Sequence, residues 1–184
     1  LKYQNNFIFY ILIKYMETIE ELERLSPILL PSKFVYDFFE TKNIKYVFII
    51  IAYILNSILN KFLKEDVARK IMKDKTYSII GRGLRPKDAK KCGIISSDKK
   101  SKEHYGMPSG HAQSFGFFLV FELLNNKNMY YKIILSILIM YLAYTRIKFK
   151  CHTYQQVIVG LTIGGIVAYV VNKVYNMAIK KSNN

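Results

Sequence analysis

The chain has 184 residues, 28 lysines and arginines against 13 aspartates and glutamates, a formal net charge of +15, and a hydrophobic content of 51%. That length suits one domain, and so basic a balance implies an anionic partner, either nucleic acid or a membrane surface. The apolar residues fall in long runs, and no stacking pattern or nucleic-acid motif accompanies the lysines, so nucleic acid is a poor reading and the membrane is favoured.

Residues 6–16 are apolar but carry Lys14 and are shorter than the ~20 residues a helix needs to cross ~30 Å of hydrocarbon, so an interfacial helix is expected there. Met16 has the look of a start, with residues 1–15 ahead of it as leader. Residues 17–24 are charged and helix-prone, and Pro27 and Pro31 interrupt them. Phe34-Val35-Tyr36-Asp37-Phe38-Phe39 suits a membrane interface, where aromatic rings settle. Residues 1–44 are therefore expected to form an interfacial or accessory segment.

Tyr46 to Phe62 is the first expected span. Asn56, Ser57 and Asn60 near its end read as interhelical hydrogen-bond partners rather than ligands. Lys64 to Met107 is a long basic segment punctuated by Gly81, Gly83, Pro86 and Gly93, the kind of loop that is functional or disordered. The lysines at 90, 91, 99, 100 and 102 read as a solvated face or one drawn to anionic headgroups, and His104 as a solvated loop residue. Pro108 to Leu124 is the second span, Met129 to Thr145 the third and Thr153 to Val174 the fourth. Gly160, Gly164 and Gly165 in the last permit close helix packing in lipid. The expected fold is an all-α integral membrane helical bundle with about four spanning helices over residues 45–176, followed by a basic tail, 177–184. Cys92 and Cys151 are too few for a disulfide framework and lack the spacing of a structural zinc site. Cys151 is read as an apolar thiol at the membrane border.

Counting spans places the chemistry. The first span delivers the basic loop to one side, the second leaves from that side at Pro108, the third returns Arg146 to it and the fourth starts there after His152. Arg85, Ser109, His111, Arg146 and His152 thus share one face. Arginine grips phosphate oxygens in pairs. Ser109 and the Gly110 N–H sit at a helix start, where free amides and the helix dipole favour an anion. One histidine can attack phosphorus while the other acts as acid.

These residues resemble the type 2 phosphatidic acid phosphatase (PAP2) superfamily, whose pattern is K-x6-R-P, P-S-G-H and S-R-x5-H-x3-D. Pro108-Ser109-Gly110-His111 matches the second part in full. Arg146 and His152 match the third, with Thr145 for serine and Gln156 for the final aspartate. Arg85-Pro86 ends the first part, but Ser78 stands seven residues before Arg85. Lys75 lies seven before Arg82, which precedes Gly83. Either Arg85 acts with a lysine across a small insertion or Arg82 takes its role. Arg85 is favoured with Lys75, and Lys64 and Lys73 remain open.

The stretch Tyr105 to Phe115 and the run His152-Thr153-Tyr154-Gln155-Gln156-Val157 look most like dolichyl diphosphatases, as do Asn56 and Asn60, and there glutamine at the last motif position is a subfamily habit. The resemblance implies a core like that of the vanadium haloperoxidases and a metal-independent lipid phosphatase without cofactors. His152 would be the nucleophile that forms a phosphohistidine and His111 the acid for the leaving group. Arg85, Arg146, a lysine, Ser109 and Gly110 would hold the oxygens, and Gln156 would fix the His152 tautomer. In that scheme Gln156→Asp stays active.

The expected substrate is a polyprenyl, dolichyl-like diphosphate in the endoplasmic reticulum or another internal membrane. The alternatives are a phosphatidate or other lipid phosphate phosphatase, and an inactive protein that binds lipid headgroups. The positive-inside rule would put the basic loop in the cytoplasm, whereas dolichyl diphosphatases work on the lumenal side.

Overall fold

The computed structural model describes residues 18, 20–73, 75–87, 89, 92–94 and 105–182. The interfacial helix expected at residues 6–16, His104 and the lysines at 90, 91, 99, 100 and 102 lie outside these residues. Helix α1 covers residues 20–29, α2 Ser32–Thr41 and α3 Ile44–Phe62. Helix α3 continues through a π-helical turn, Leu63–Ala68, into α4, Arg69–Met72. A small antiparallel hairpin pairs β1, Thr76–Tyr77, with β2, Gly81–Arg82. Helices α5, Gly110–Asn125, α6, Met129–Lys148, and α7, Tyr154–Ser182, complete the bundle.

Local chemistry explains where the helices start. Asn43 Oδ1 accepts from Lys45 N, Ser109 Oγ from Ala112 N, and Asn128 Oδ1 from Tyr131 N. Each side chain thereby satisfies an amide that a helix N-terminus leaves free. Ile44–Met72, α6 and α7 are long and apolar enough to cross a membrane. Their outward side chains include Ile51, Ile54, Leu55 and Ile58 on α3, Ile133, Ile134 and Ile137 on α6, and Ile158 and Ile166 on α7, all exposed. Apolar surface of that extent marks contact with lipid.

The second expected span, α5, differs. Its 16 residues reach only about 24 Å at 1.5 Å per residue, and Ala112 through Phe118 are all buried. It is the central rod, and the other helices enclose most of its surface. Its most extensive partner is α7, and the approach is close. A Cβ on Gly116 would fall 2.1 Å from Leu161 O, one on Gly164 1.9 Å from Gln113 O, and one on Gly160 2.6 Å from Ser109 O.

Polar side chains tie α5 to α3. Gln113 Nε2 donates to the Asn56 main-chain oxygen and Oδ1, both at 2.9 Å, and Asn60 Nδ2 donates to Gln113 Oε1 at 2.8 Å. The asparagines thus act between helices, the role such residues take inside a bundle. The N-terminal segment joins the same core. Phe34 of α2 is fully buried, with its ring centroid 5.1 Å from that of Phe121 and 5.2 Å from that of Phe118.

The cysteines overturn one expectation. Cys92 and Cys151, read as unpaired, form a disulfide across 59 residues of sequence. Two cysteines cannot build a framework, but they can make one clamp, and the fold lays the basic segment over the turn between α6 and α7. Spacing alone carries no trace of that meeting.

Candidate active site

The polar end of the bundle gathers the C-terminus of α6, the turn before α7, the N-terminus of α5 and the segment around residues 82–85. After α6 ends, the chain folds back on itself. Arg146 O accepts from Cys151 N at 3.0 Å and from His152 N at 3.1 Å. That turn places His152 beside the arginine that precedes it by six positions. The Arg146 side chain is 1% exposed. Its Nη2 donates to Cys92 O at 2.8 Å and its Nη1 pairs with Glu23 Oε1 at 2.6 Å, while Nε is buried without a hydrogen-bond partner among the described residues.

Gln156 fixes His152. Its amide nitrogen donates to Arg82 O and Leu84 O, both at 2.8 Å, and more distantly to Gly83 O. Oε1 is therefore the end that faces the imidazole, 3.1 Å from His152 Nδ1. An amide oxygen only accepts, so Nδ1 carries the proton and Nε2 keeps its lone pair. That Nε2 is buried and has no partner among the described residues. Burial foremost, then the charges of Arg85, Arg146 and Lys64, push the His152 pKa well below 6.5, against the smaller opposing effect of the Gln156 bond. A neutral imidazole whose unpartnered lone pair lies beside cationic side chains has the chemistry of a nucleophile.

The same three cations act on His111, at the first turn of α5. Its Nε2 lies 3.1 Å from Arg24 O and donates to it. Ser109 is fully buried and caps α5, and its N–H donates to Gln156 O at 3.0 Å, locking the two motifs together. Gly110 packs against Asn60, whose Oδ1 would lie 3.0 Å from an added Cβ. Arg85 has a buried Nε without a partner among the described residues, and burial followed by Arg146 lowers its pKa to about 10. Among the described residues no group of three His, Cys, Asp or Glu side chains is disposed to hold a metal ion.

Two expected phosphate ligands sit elsewhere. Lys75 is exposed beside the hairpin. Arg82 is half-buried and meets the site through its main-chain oxygen, which Gln156 holds. The lysine whose charge reaches Arg85, His111 and His152 is Lys64, in the π-helical turn that prolongs α3. The substitution Gln156→Asp also takes on a different meaning, because an aspartate has no donor for the carbonyls of residues 82–84. Sequence reasoning missed Glu23 and Arg24 altogether. Their placement shows only in the packing of α1, with Glu23 and Ser26 buried on one side and Leu22, Leu25, Ile28 and Leu29 exposed on the other.

A family model described as the PAP2 superfamily matches residues 45–180. Among solved structures, a transmembrane PAP2 type phosphatidylglycerolphosphate phosphatase from Bacillus subtilis superposes with a TM-score of 0.59 at 17% identity, covering 90% of this chain and 77% of that one. At that identity the likeness is one of fold. No curated protein matches the sequence.

Proposed function

We propose that this chain, which belongs to the PAP2 superfamily, is a membrane phosphatase that removes phosphate from a lipid phosphate or diphosphate through a phosphohistidine. The observation that carries the reading is the His152 imidazole. It is held neutral with its Nε2 unpartnered, in a pocket where Arg85, Arg146 and Lys64 supply positive charge.

In the first step the Nε2 lone pair attacks phosphorus and the bond from phosphorus to the leaving oxygen breaks. His111 enters this step as the imidazolium, protonated as the anionic substrate binds, and gives that oxygen its proton. Arg85, Arg146, Lys64 and the Gly110 N–H neutralise the three equatorial oxygens, whose charge otherwise repels the nucleophile. In the second step water attacks the phosphohistidine, His111 takes a proton from it, and inorganic phosphate leaves with His152 restored. Gln156 accepts from Nδ1–H throughout, so it stabilises the imidazole orientation and the positive charge that develops on attack. None of these steps requires a metal or a cofactor.

Polyprenyl diphosphate is the favoured substrate. The sequence around Pro108–Phe115 and His152–Val157 supports it, and so does the bonding of Gln156 to both His152 and the 82–84 segment. An internal membrane such as the endoplasmic reticulum goes with that substrate. A lipid phosphate monoester is the second reading, favoured by the likeness in fold to the phosphatidylglycerolphosphate phosphatase.

The test is phosphate release by purified protein in detergent, with chelator, from polyprenyl diphosphate, polyprenyl phosphate, phosphatidate and phosphatidylglycerolphosphate. The diphosphate should be the best substrate and His152→Ala should abolish release. A wild-type protein that binds these lipids and releases nothing is a headgroup binder, and the phosphatase reading fails.

A further inference from the structure

Helix α1 lies over the anion site, and two of its groups occupy that site. The Glu23 carboxylate, 4% exposed, takes Arg146 Nη1 at 2.6 Å. One residue on, Arg24 O accepts from His111 Nε2 at 3.1 Å. Both partners are groups that the reaction above assigns to the substrate, one as a phosphate ligand and the other as proton donor. A carboxylate on a guanidinium makes the same charged N–H to oxygen bonds that a phosphate makes there. The Nε atoms of Arg85 and Arg146, buried and without partners among the described residues, show that more donors converge than Glu23 alone can satisfy.

We propose that α1 is an internal plug, with Glu23 standing in for a phosphate oxygen, and that an incoming lipid phosphate must displace it. This rests on the reading that Arg146 binds phosphate.

The way α1 is fastened suits displacement. Its inner contacts include the Glu23–Arg146 pair, the Arg24–His111 bond and a bond from Tyr53 O–H to Pro27 O at 2.6 Å. Leu22, Leu25, Ile28 and Leu29 point outward and are exposed. That exposed face gives up little when the helix lifts. Lifting α1 therefore trades its polar contacts for the polar contacts of the substrate.

The competing account makes Glu23 an anchor that holds Arg146 in place for phosphate. The two accounts predict opposite signs. If α1 is docked in nine molecules of ten, the plug weakens apparent phosphate affinity about tenfold.

The experiment is binding of inorganic phosphate to the full chain in detergent by calorimetry, for wild type, Glu23→Gln, Tyr53→Phe and Arg146→Ala. Glu23→Gln should bind about tenfold more tightly and Tyr53→Phe, which loosens the far end of α1, about two- to threefold more tightly. Arg146→Ala should bind none. Glu23→Gln leaves a buried guanidinium without its counter-ion, which destabilises the fold. Thermal unfolding with and without phosphate checks that it is folded, and its midpoint should rise more with phosphate than that of wild type. Should it not fold, Tyr53→Phe decides. Unchanged or weaker binding in the folded variants overturns the plug. Undiminished binding in Arg146→Ala overturns its premise, and absence of lipid hydrolysis by wild type overturns the phosphatase reading without touching the binding result.

Discussion

Replacing Gly164 by alanine adds one methyl group far from any reacting atom, yet it should cost most of the activity. The new Cβ would stand 1.9 Å from Gln113 O and 2.8 Å from both Gln113 C and Phe117 N, all backbone atoms of α5 that have no rotamer with which to yield. Ordinary contact begins at 3.4 Å, so α5 and α7 must part by about 1.5 Å, an overpacking worth roughly 1–3 kcal/mol. His111 and Ser109 ride on α5, and Gln156, which orients His152, rides on α7. Parting them stretches the Ser109 N to Gln156 O bond, now 3.0 Å, past its useful range. A misplacement of about 1 Å between reacting groups costs on the order of 100-fold in rate. The assay is kcat/KM for phosphate release, with thermal unfolding in parallel and Gly165→Ala as control. At Gly165 the nearest neighbour of an added Cβ is the movable Val120 Cγ2 at 3.1 Å, and backbone comes no closer than 3.9 Å. Gly164→Ala should lose about 100-fold while Gly165→Ala stays close to wild type. Equal, near-normal activity in both would refute the claim that the helix contact sets the distance between the two motifs.

Two further predictions concern His152 and its partner. Gln156→Glu and Gln156→Asp should each lose at least tenfold in kcat, because Arg82 O and Leu84 O lose their donor at about 1–3 kcal/mol for each buried acceptor left unpaired. Full activity in the aspartate variant, read by phosphate release, would contradict the bridging role. The His152 pKa is held well below 6.5 in the folded protein, so below pH 6.5 the unfolded chain binds a proton there that the folded chain does not. The contribution is fully present above that pH and is lost as pH falls. Histidine 15N shifts, assigned with His152→Ala, should show the neutral Nδ1–H form persisting below pH 6.5, and an imidazolium at pH 6.5 or above would refute the assignment.

Much of the bundle was legible because lipid makes hydropathy a strong signal. Spans expected at Tyr46–Phe62, Met129–Thr145 and Thr153–Val174 appear as helices Ile44–Phe62, Met129–Lys148 and Tyr154–Ser182. Counting the four expected runs placed Arg85, Ser109, His111, Arg146 and His152 on one face. The lysine was not legible, since a π-helical turn holds an extra residue per turn and shifts which side chain faces inward. That turn at Leu63–Ala68 brings the charge of Lys64, which the spacing left open behind Lys75, to Arg85 and His152. Glu23 was hidden for a different reason. A charged stretch ahead of two prolines reads as solvated, and only the packing of α1 over Arg146 shows its carboxylate to be buried.

The bond between Cys92 and Cys151 has a geographical consequence. Cys151 immediately precedes His152, and the Cys92 carbonyl holds Arg146, so the sulfur pair and the candidate site share one end of the bundle and face one compartment. Glutathione and thioredoxin keep such pairs reduced in the cytosol. On the proposed reading, a disulfide at that end goes with a site facing away from the cytosol, and the phosphate would be released on that side.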